Sequence, residues 1–209
     1  MYKFAPHKDT IFFYKHKFNY SVLTTTSNIL ASAKKTILSE SLSISKLADL
    51  LDANFVAAVE KIYQSKGRLV VTGIGKSAII AQKMVASFNS TGTPSLFLHA
   101  AEAIHGDLGM LQKEDVVICI SKSGNSPEIK VLVPLLKRFD NILIAITGNM
   151  SSFLAQGSDF VLNTTVDSES CPNNLAPTSS TTAQLVMGDA LAVCLLKLKS
   201  PVNRSQRNY

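Results

Sequence analysis

The chain has 209 residues, of which 46% are hydrophobic and 17% charged, a composition that suits one globular domain and excludes an intrinsically disordered protein. No apolar run reaches the ~18 residues that a membrane-spanning helix needs, so no membrane segment is predicted. The net charge of +6 comes largely from the two ends of the chain, which argues against nucleic-acid binding and favours a small anionic partner.

Residues 1–20 are basic and aromatic without a regular period, and they are predicted to form a flexible N-terminal arm. The predicted domain covers residues 21–200, and residues 201–209 form a C-terminal tail. From Ser21 to Lys66, apolar residues recur three and four positions apart, which predicts helices that end before Gly67. Because these amphipathic helices have no sheet partner in the predicted fold, we expect a second subunit to supply one.

Short apolar runs then alternate with helical patterns. The predicted strands are residues 68–72, 94–98, 115–120, 141–147 and 159–162. The predicted helices are residues 77–89, 127–139, 151–156 and 180–199. Continuously apolar strands separated by helices indicate an α/β fold, a three-layer doubly wound five-stranded parallel sheet of the flavodoxin-like kind. Such folds bind ligands outside the carboxyl ends of their strands, so the residues that follow each strand are the candidate site.

The three cysteines, Cys119, Cys171 and Cys194, are far apart and form no CxxC pair or Cys/His cluster. Two of them lie in apolar stretches, where thiols usually pack as small hydrophobic groups. The pattern predicts free thiols in a reducing, cytoplasmic environment.

A glycine-lysine segment, Gly73-Ile74-Gly75-Lys76-Ser77, follows the first strand. A Walker loop would need a glycine where Val70 stands, and a dinucleotide site would need an acid at the end of the second strand, which reads Leu96-Phe97-Leu98-His99. Two interpretations remain: a tight turn that requires glycine, and an anion pocket at a helix N-terminus to which Lys76 adds charge.

A hydroxyl-rich segment, Ser121-Lys122-Ser123-Gly124-Asn125-Ser126, follows the third strand. Ser126 and Pro127 suit the N-cap and first position of the next helix, which explains one serine structurally. The other serines and the glycine exceed what capping needs, and together with free helix N–H groups they predict a phosphate site. Glu128 in the first helical turn is either a dipole-compensating acid or a general base.

Two further polar segments follow the second and fifth strands. The segment from His99 to Gly109 is interpreted as a loop whose histidines match no zinc signature and suit hydrogen bonding. Glu169 follows the fifth strand, and the hydroxyl residues 178–182 are sufficient to cap the last helix.

Together these segments resemble the sugar isomerase (SIS) domain family and, within it, the arabinose-5-phosphate isomerases. The resemblance runs from about residue 40 to residue 198 and is carried by residues 73–77, 90–95, 105–110, 120–124, 175–182 and 186–192. It implies interconversion of D-ribulose 5-phosphate and D-arabinose 5-phosphate by a cytoplasmic homotetramer that supplies Kdo for lipopolysaccharide or a capsule.

The resemblance also implies roles for individual residues. The residues that match catalytic positions are Lys76, Glu128 and Glu169. Residues expected to bind the phosphorylated pentose are Gly75, Ser77, Gly92, Thr93, His105, Ser121, Ser123, Ser126, Thr178 and Ser179. No cofactor is required, and His99 is a candidate metal ligand for an adventitious or inhibitory zinc ion. One glutamate would shuttle a proton through an enediolate, and Lys76 would stabilise the oxyanion.

The chain differs from the family pattern after the last helix. The family carries a catalytic histidine in a His-Pro-Gly-Gly segment, often followed by paired CBS domains, whereas residues 200–209 contain no histidine. Two alternatives therefore stay open: a non-catalytic or weakly active SIS module that binds a sugar phosphate, and an isomerase of a different phosphosugar.

Overall fold

A computed structural model describes residues 26–199, in which hydrophobic strands alternate with helices. The strands are β1 (Leu69–Gly73), β2 (Ser95–His99), β3 (Val116–Ser121), β4 (Ile142–Thr147) and β5 (Phe160–Asn163). The helices are α1 (Thr26–Leu47), α2 (Ala53–Gln64), α3 (Lys76–Ser90), α4 (Ala100–Ile104), α5 (Pro127–Arg138), α6 (Phe153–Gly157) and α7 (Ser179–Lys199). Two 3-10 turns, Ala48–Leu50 and Asp107–Met110, complete this part of the chain. The predictions for residues 1–20 and 201–209 lie outside the described residues.

The five described strands form one parallel sheet in the order β2-β1-β3-β4-β5. Every residue of β1 and β3 is buried, whereas the edge strands β2 and β5 are mostly half-buried. Strands covered on both faces need apolar side chains at every position, which explains the continuous apolar runs in the sequence. The predicted fold class is confirmed.

Helices cover the sheet in two layers because successive strand residues point to opposite faces. Ile118 and Ile120 of β3 pack with α2, α3 and α7, whereas Val117 and Cys119 pack with α4, α5 and α6. The three cysteines are free thiols, as predicted. Burial raises the pKa of Cys119 to about 12, so this thiol is chemically inert.

The expectation that the helices before Gly67 lack a sheet partner is wrong for α2. Its buried residues Ala58, Val59 and Ile62 join the same hydrophobic cluster as Leu162 of β5. The sequence could not reveal this contact, because the strand that α2 covers comes about 100 residues later.

Helix α1 lies against α7 and leaves apolar side chains in solvent. Thr182 Oγ1 of α7 donates a hydrogen bond to Glu40 Oε2 at 2.9 Å, which fixes α1 at the amino end of that helix. The large apolar residues of α1 that remain exposed are Ile29, Leu30, Ile37, Leu38 and Leu42.

The sequence analysis interpreted the segment from His99 to Gly109 as a loop, and this interpretation is wrong. It folds as α4 followed by the second 3-10 turn. The run Ala100-Ala101-Glu102-Ala103 has high helix propensity, and Ala100 and Ala103 are buried, so local preference and packing agree.

Within residues 26–199, α7 is the one helix whose length and apolar composition would suit a membrane span. Its buried face, which includes Ala183, Met187 and Leu191, belongs to the core against the sheet. The helix is therefore apolar because it is a core helix, covered by α1, α2 and α3.

Candidate active site

Two bends lie side by side where the strand order reverses. Gly73 of β1 pairs with Ile120 of β3, so the glycine-lysine bend (residues 73–76) and the hydroxyl bend (residues 121–126) leave the same edge of the sheet. The helices that follow diverge, since α3 covers one face of the sheet and α5 covers the other. Ligands of parallel α/β folds bind in the crevice between such diverging crossovers.

The glycine-lysine bend opens α3 without a side-chain cap. Gly75 is the N-cap residue with a φ of +57°, a conformation that glycine adopts without strain. The first backbone N–H groups of α3 are therefore available to an anion, and the exposed Lys76 stands at its first position. Ser77 Oγ donates a hydrogen bond to Gln184 Oε1 at 3.2 Å, which ties this end of α3 to α7.

The hydroxyl bend is held by two of its own serines. Ser121 Oγ accepts a hydrogen bond from Gly124 N at 3.1 Å, and Ser123 Oγ accepts one from Asn125 N at 3.3 Å. Gly124 has a φ of +61°, and a Cβ at this position would overlap the side chain of Ser152. The bend therefore requires glycine at 124 for both conformation and space.

Ser126 occupies the N-cap position of α5, but its hydroxyl does not cap the helix. Within residues 26–199, Ser126 Oγ is buried and has no hydrogen-bond partner. Pro127 at the first helical position has no N–H group to offer it. Ser126 thus has the predicted N-cap position but makes no capping hydrogen bond, and its hydroxyl and the amino end of α5 are both available to an anion.

Glu169 is the most heavily bonded carboxylate on this side of the molecule. Its Oε1 accepts hydrogen bonds from Lys122 Nζ at 2.6 Å and from Ser180 Oγ at 2.5 Å. Its Oε2 accepts hydrogen bonds from Thr178 N at 2.8 Å, Ser180 N at 3.1 Å and Thr178 Oγ1 at 3.2 Å. The carboxylate thus satisfies backbone N–H groups at the amino end of α7, a favourable place for negative charge.

The hydrogen bonds determine the protonation state of Glu169. Burial by itself would raise the pKa of this carboxyl group, but the donors on Lys122, Ser180 and the backbone of 178 and 180 outweigh it and lower the pKa to about 2. Glu169 is therefore ionised at neutral pH and is a weak proton acceptor.

Glu128 has a different environment. It is half-buried in the first turn of α5, next to the hydroxyl bend, and no hydrogen bond to its carboxylate occurs within the described part of the chain. The two glutamates that the sequence left as alternatives thus differ in what binds them, since Glu169 is engaged by five donors and Glu128 by none.

Thr178 and Ser179 have structural partners at the start of α7. Thr178 bonds to Glu169, and Ser179 Oγ lies 3.1 Å from Ser170 Oγ. The structure therefore places Lys76, Ser77, Glu128, Glu169 and the serines of the hydroxyl bend along the carboxyl edge of the sheet, together with the start of α7. The expected contacts of Thr178 and Ser179 with substrate stay predictions.

Gly92 and Thr93 do not lie at the carboxyl edge of the sheet. They precede β2 at the amino edge of the sheet, a strand length of roughly 15 Å from the carboxyl edge. Lys199 Nζ donates hydrogen bonds to Gly92 O at 2.7 Å and to Thr93 Oγ1 at 2.8 Å. A hollow of about 70 Å³ opens here beside Arg68, remote from the two bends. Within one chain, these two residues cannot share a ligand with the hydroxyl bend.

The two histidines of the His99–Gly109 segment, His99 and His105, have different environments. His99 ends β2, and its Nδ1 is buried without a partner among the described residues, whereas His105 is exposed after α4. No group of three or more His, Cys, Asp or Glu side chains within residues 26–199 could hold a metal ion. One imidazole is short of the ligands that a zinc site needs, so a zinc ion at His99 stays a prediction.

Sequence reasoning missed three residues that build the site. Lys122 and Ser180 bind Glu169, and Gln184 binds Ser77. Lys122 and Ser180 lie inside segments that carried the family resemblance, but their partners are distant in sequence. No local pattern identifies such pairs.

Comparison with known proteins agrees with this geometry. A family model described as the SIS domain matches residues 61–194. Arabinose 5-phosphate isomerase KdsD of Francisella tularensis is 51% identical over 190 residues, which are 90% of this chain and 57% of that protein. KdsD of Escherichia coli K12 is 52% identical over 168 residues, 80% of this chain and 51% of that protein.

The fold comparison extends the similarity. A solved structure of c3406 from E. coli CFT073 in complex with A5P matches with a TM-score of 0.82 at 39% sequence identity, covering 86% of this chain and 96% of that one. The chain belongs to the SIS domain family, as the sequence segments predicted. It spans about half the length of the curated relatives that it matches.

Proposed function

We propose that this chain interconverts D-ribulose 5-phosphate and D-arabinose 5-phosphate through an enediolate. The observation that carries the proposal is the buried, unpartnered hydroxyl of Ser126 in a bend that also presents the amino end of α5. A buried hydroxyl without a partner is costly, and a phosphate group would satisfy it. The relatives named arabinose 5-phosphate isomerase and the related A5P complex support the choice of pentose.

The phosphate group would bind in the hydroxyl bend. Ser123 and Ser126 would donate their hydroxyl hydrogens to it, and the N–H groups of the first turn of α5 would add the favourable end of the helix dipole. Lys76 and the free N–H groups of α3 would then face the other end of the sugar from the neighbouring bend.

The proton transfer assigns different roles to the two glutamates. The base removes a proton from C1 of the ketose and returns it to C2, while the hydroxyl proton moves from O1 to O2, so no atom is gained or lost. Glu128 suits this task, because its carboxylate has no competing donor within residues 26–199 and lies beside the phosphate site. Glu169, with a pKa of about 2, suits a positioning role.

Lys76 would stabilise the oxyanion that forms on the carbonyl oxygen. It is exposed at the first position of α3, where backbone N–H groups add to its charge. Preorganised donors of this kind contribute roughly 10²–10³-fold to the rate. The proposed chemistry uses side chains and backbone amides only and calls for no cofactor.

Assembly and pathway belong to the same proposal. The exposed apolar residues of α1 would be covered by other copies of the chain in a homotetramer. Gly92 and Thr93 lie at the opposite edge of the sheet, so as substrate contacts they would come from a neighbouring subunit. The product would supply Kdo for lipopolysaccharide or a capsule in the cytoplasm.

The direct test is turnover by the purified chain. D-ribulose 5-phosphate labelled with ¹³C at C2 should give arabinose 5-phosphate signals in an NMR time course. Glu128→Gln should lower turnover by roughly 10²–10⁴-fold while calorimetric affinity for arabinose 5-phosphate stays within about threefold. Glu169→Gln should weaken affinity as well as turnover.

The same experiment separates the alternatives. Binding without turnover would support the non-catalytic SIS module, and turnover of another pentose or hexose phosphate alone would change the substrate. Absence of both binding and turnover for every phosphosugar would refute the proposal.

A further inference from the structure

Lys122 is a charged residue in the middle of the hydroxyl bend whose role the proposed mechanism does not use. Its ammonium group donates to Glu169 Oε1 at 2.6 Å, and the two residues are 47 positions apart in sequence. The lysine side chain is 46% exposed, whereas the side chain of Glu169 is fully buried. The pair thus connects the surface of the bend to an interior carboxylate.

The lysine side chain reaches Glu169 across the end of β4. Lys122 O accepts hydrogen bonds from Gly148 N at 3.0 Å and from Thr147 Oγ1 at 3.4 Å, so the backbone of the bend is fixed to that strand. A Cβ at Gly148 would lie 3.7 Å from Lys122 Cγ. The lysine stem therefore lies over a residue that has no side chain.

Glu169 also binds the amino end of α7. Its second oxygen accepts hydrogen bonds from the backbone N–H of Thr178, the residue before α7, and from that of Ser180 in the first turn of α7. Helix α7 also contacts the first turn of α3, directly after the glycine-lysine bend, because Gln184 accepts a hydrogen bond from the Ser77 hydroxyl. Lys122, Glu169 and the start of α7 thus form one connection between the two bends.

We propose that Lys122 is a positioning residue whose ammonium group holds the Glu169 carboxylate, and through it the amino end of α7, against the hydroxyl bend. This inference rests on the proposed function, since the arrangement that it maintains is the phosphosugar site. An exposed surface pair would contribute little, but this pair has one fully buried partner that also binds backbone N–H groups.

The test is a double-mutant cycle on ligand affinity. Calorimetry with arabinose 5-phosphate should show that Lys122→Met weakens binding about tenfold, the scale of one partly exposed charge-assisted hydrogen bond. In the Glu169→Gln background, the same Lys122→Met substitution should change affinity less than about twofold, because the lysine acts through the glutamate. Lys122→Arg should restore most of the affinity, since arginine retains both the charge and the donors.

The matched control is Lys113→Met, which removes the same charge from the exposed surface at the amino edge and should leave affinity unchanged. Equal effects of Lys122→Met in both backgrounds would overturn the proposal and assign the lysine to the phosphate itself. No rescue by arginine would also overturn it.

A second measurement keeps this inference separate from the proposed function. Amide hydrogen exchange at Thr178 and Ser180 needs no sugar, and Lys122→Met should accelerate it, whereas Lys113→Met should not. If the unsubstituted chain binds no phosphosugar, the proposed function fails, and the exchange rates still decide whether Lys122 holds this segment. Unchanged exchange in Lys122→Met would refute the positioning role.

Discussion

Replacement of Glu169 by glutamine keeps the shape of this side chain but removes its charge and one of its two acceptor oxygens. The glutamine oxygen can still accept the backbone N–H groups of Thr178 and Ser180. The amide group then faces the ammonium group of Lys122, which is about half exposed and can turn to solvent. We therefore expect Glu169→Gln to lower the free energy of unfolding by about 2 kcal/mol at pH 7.

The lowered pKa of Glu169 expresses the effect of the same hydrogen bonds as a dependence on pH. A decrease from 4.5 to about 2 corresponds to at most roughly 3 kcal/mol, and solvent screening at Lys122 reduces this to about 2 kcal/mol. Because the folded-state pKa is the lower one, this stabilisation is complete above pH 4.5 and is lost as the pH falls from 4.5 towards 2. The difference between the two proteins should be roughly 1 kcal/mol smaller at pH 3.5 than at pH 7.

The assay is urea unfolding followed by circular dichroism at both pH values and a fixed protein concentration. Asp189→Asn serves as the control, since Asp189 pairs with Lys83 on the surface and its loss should cost less than about 0.5 kcal/mol. An equal Glu169→Gln effect at pH 7 and pH 3.5 would refute the reasoning, and so would an effect below about 0.5 kcal/mol at pH 7.

Three further substitutions test other parts of the structure. Ser126→Ala should change the free energy of unfolding by less than about 0.5 kcal/mol, because no hydrogen bond is lost, while calorimetric affinity for arabinose 5-phosphate falls about tenfold. Gly124→Ala should destabilise the protein by about 2–3 kcal/mol in urea unfolding, because its φ is positive and the new Cβ would overlap Ser152. Asp115→Asn should cost about 3 kcal/mol in the same assay without changing sugar affinity, because Asp115 is buried against Arg68 at the amino edge of the sheet.

Each of these outcomes has a clear opposite. A large loss of stability in Ser126→Ala would mean that its hydroxyl serves the fold. A stable Gly124→Ala protein would mean that the bend can rearrange. A loss of sugar affinity in Asp115→Asn, measured on folded protein, would mean that Asp115 and Arg68 at the amino edge take part in sugar binding.

Local patterns were sufficient for the order and type of most elements. The apolar runs at 115–120 and 141–147 became β3 and β4 with ends displaced by at most one residue, because buried parallel strands admit few polar side chains. The helix at 127–139 began at Pro127 as predicted, since proline is favoured at the first helical position. The alternation of strands and helices also placed the site at the carboxyl ends, because right-handed crossovers permit few other arrangements.

Interpretations that depended on the hydrogen-bond partner of a side chain were wrong or stayed open. Ser126 has the right position for a capping residue, yet the direction of its hydroxyl depends on the fold of the whole bend. The choice between Glu128 and Glu169 could not be made from position, because each follows a strand of the same sheet. Only the five donors around Glu169 distinguish them.

The amino-acid sequence by itself determined the α/β fold, the family and the edge of the sheet where the chemistry lies, because hydrophobic period, glycine and proline act over a few residues. The tertiary structure alone decided that α2 covers its own sheet and that Lys122 holds Glu169. These contacts join residues that the strand order brings together, and no local pattern encodes a strand order.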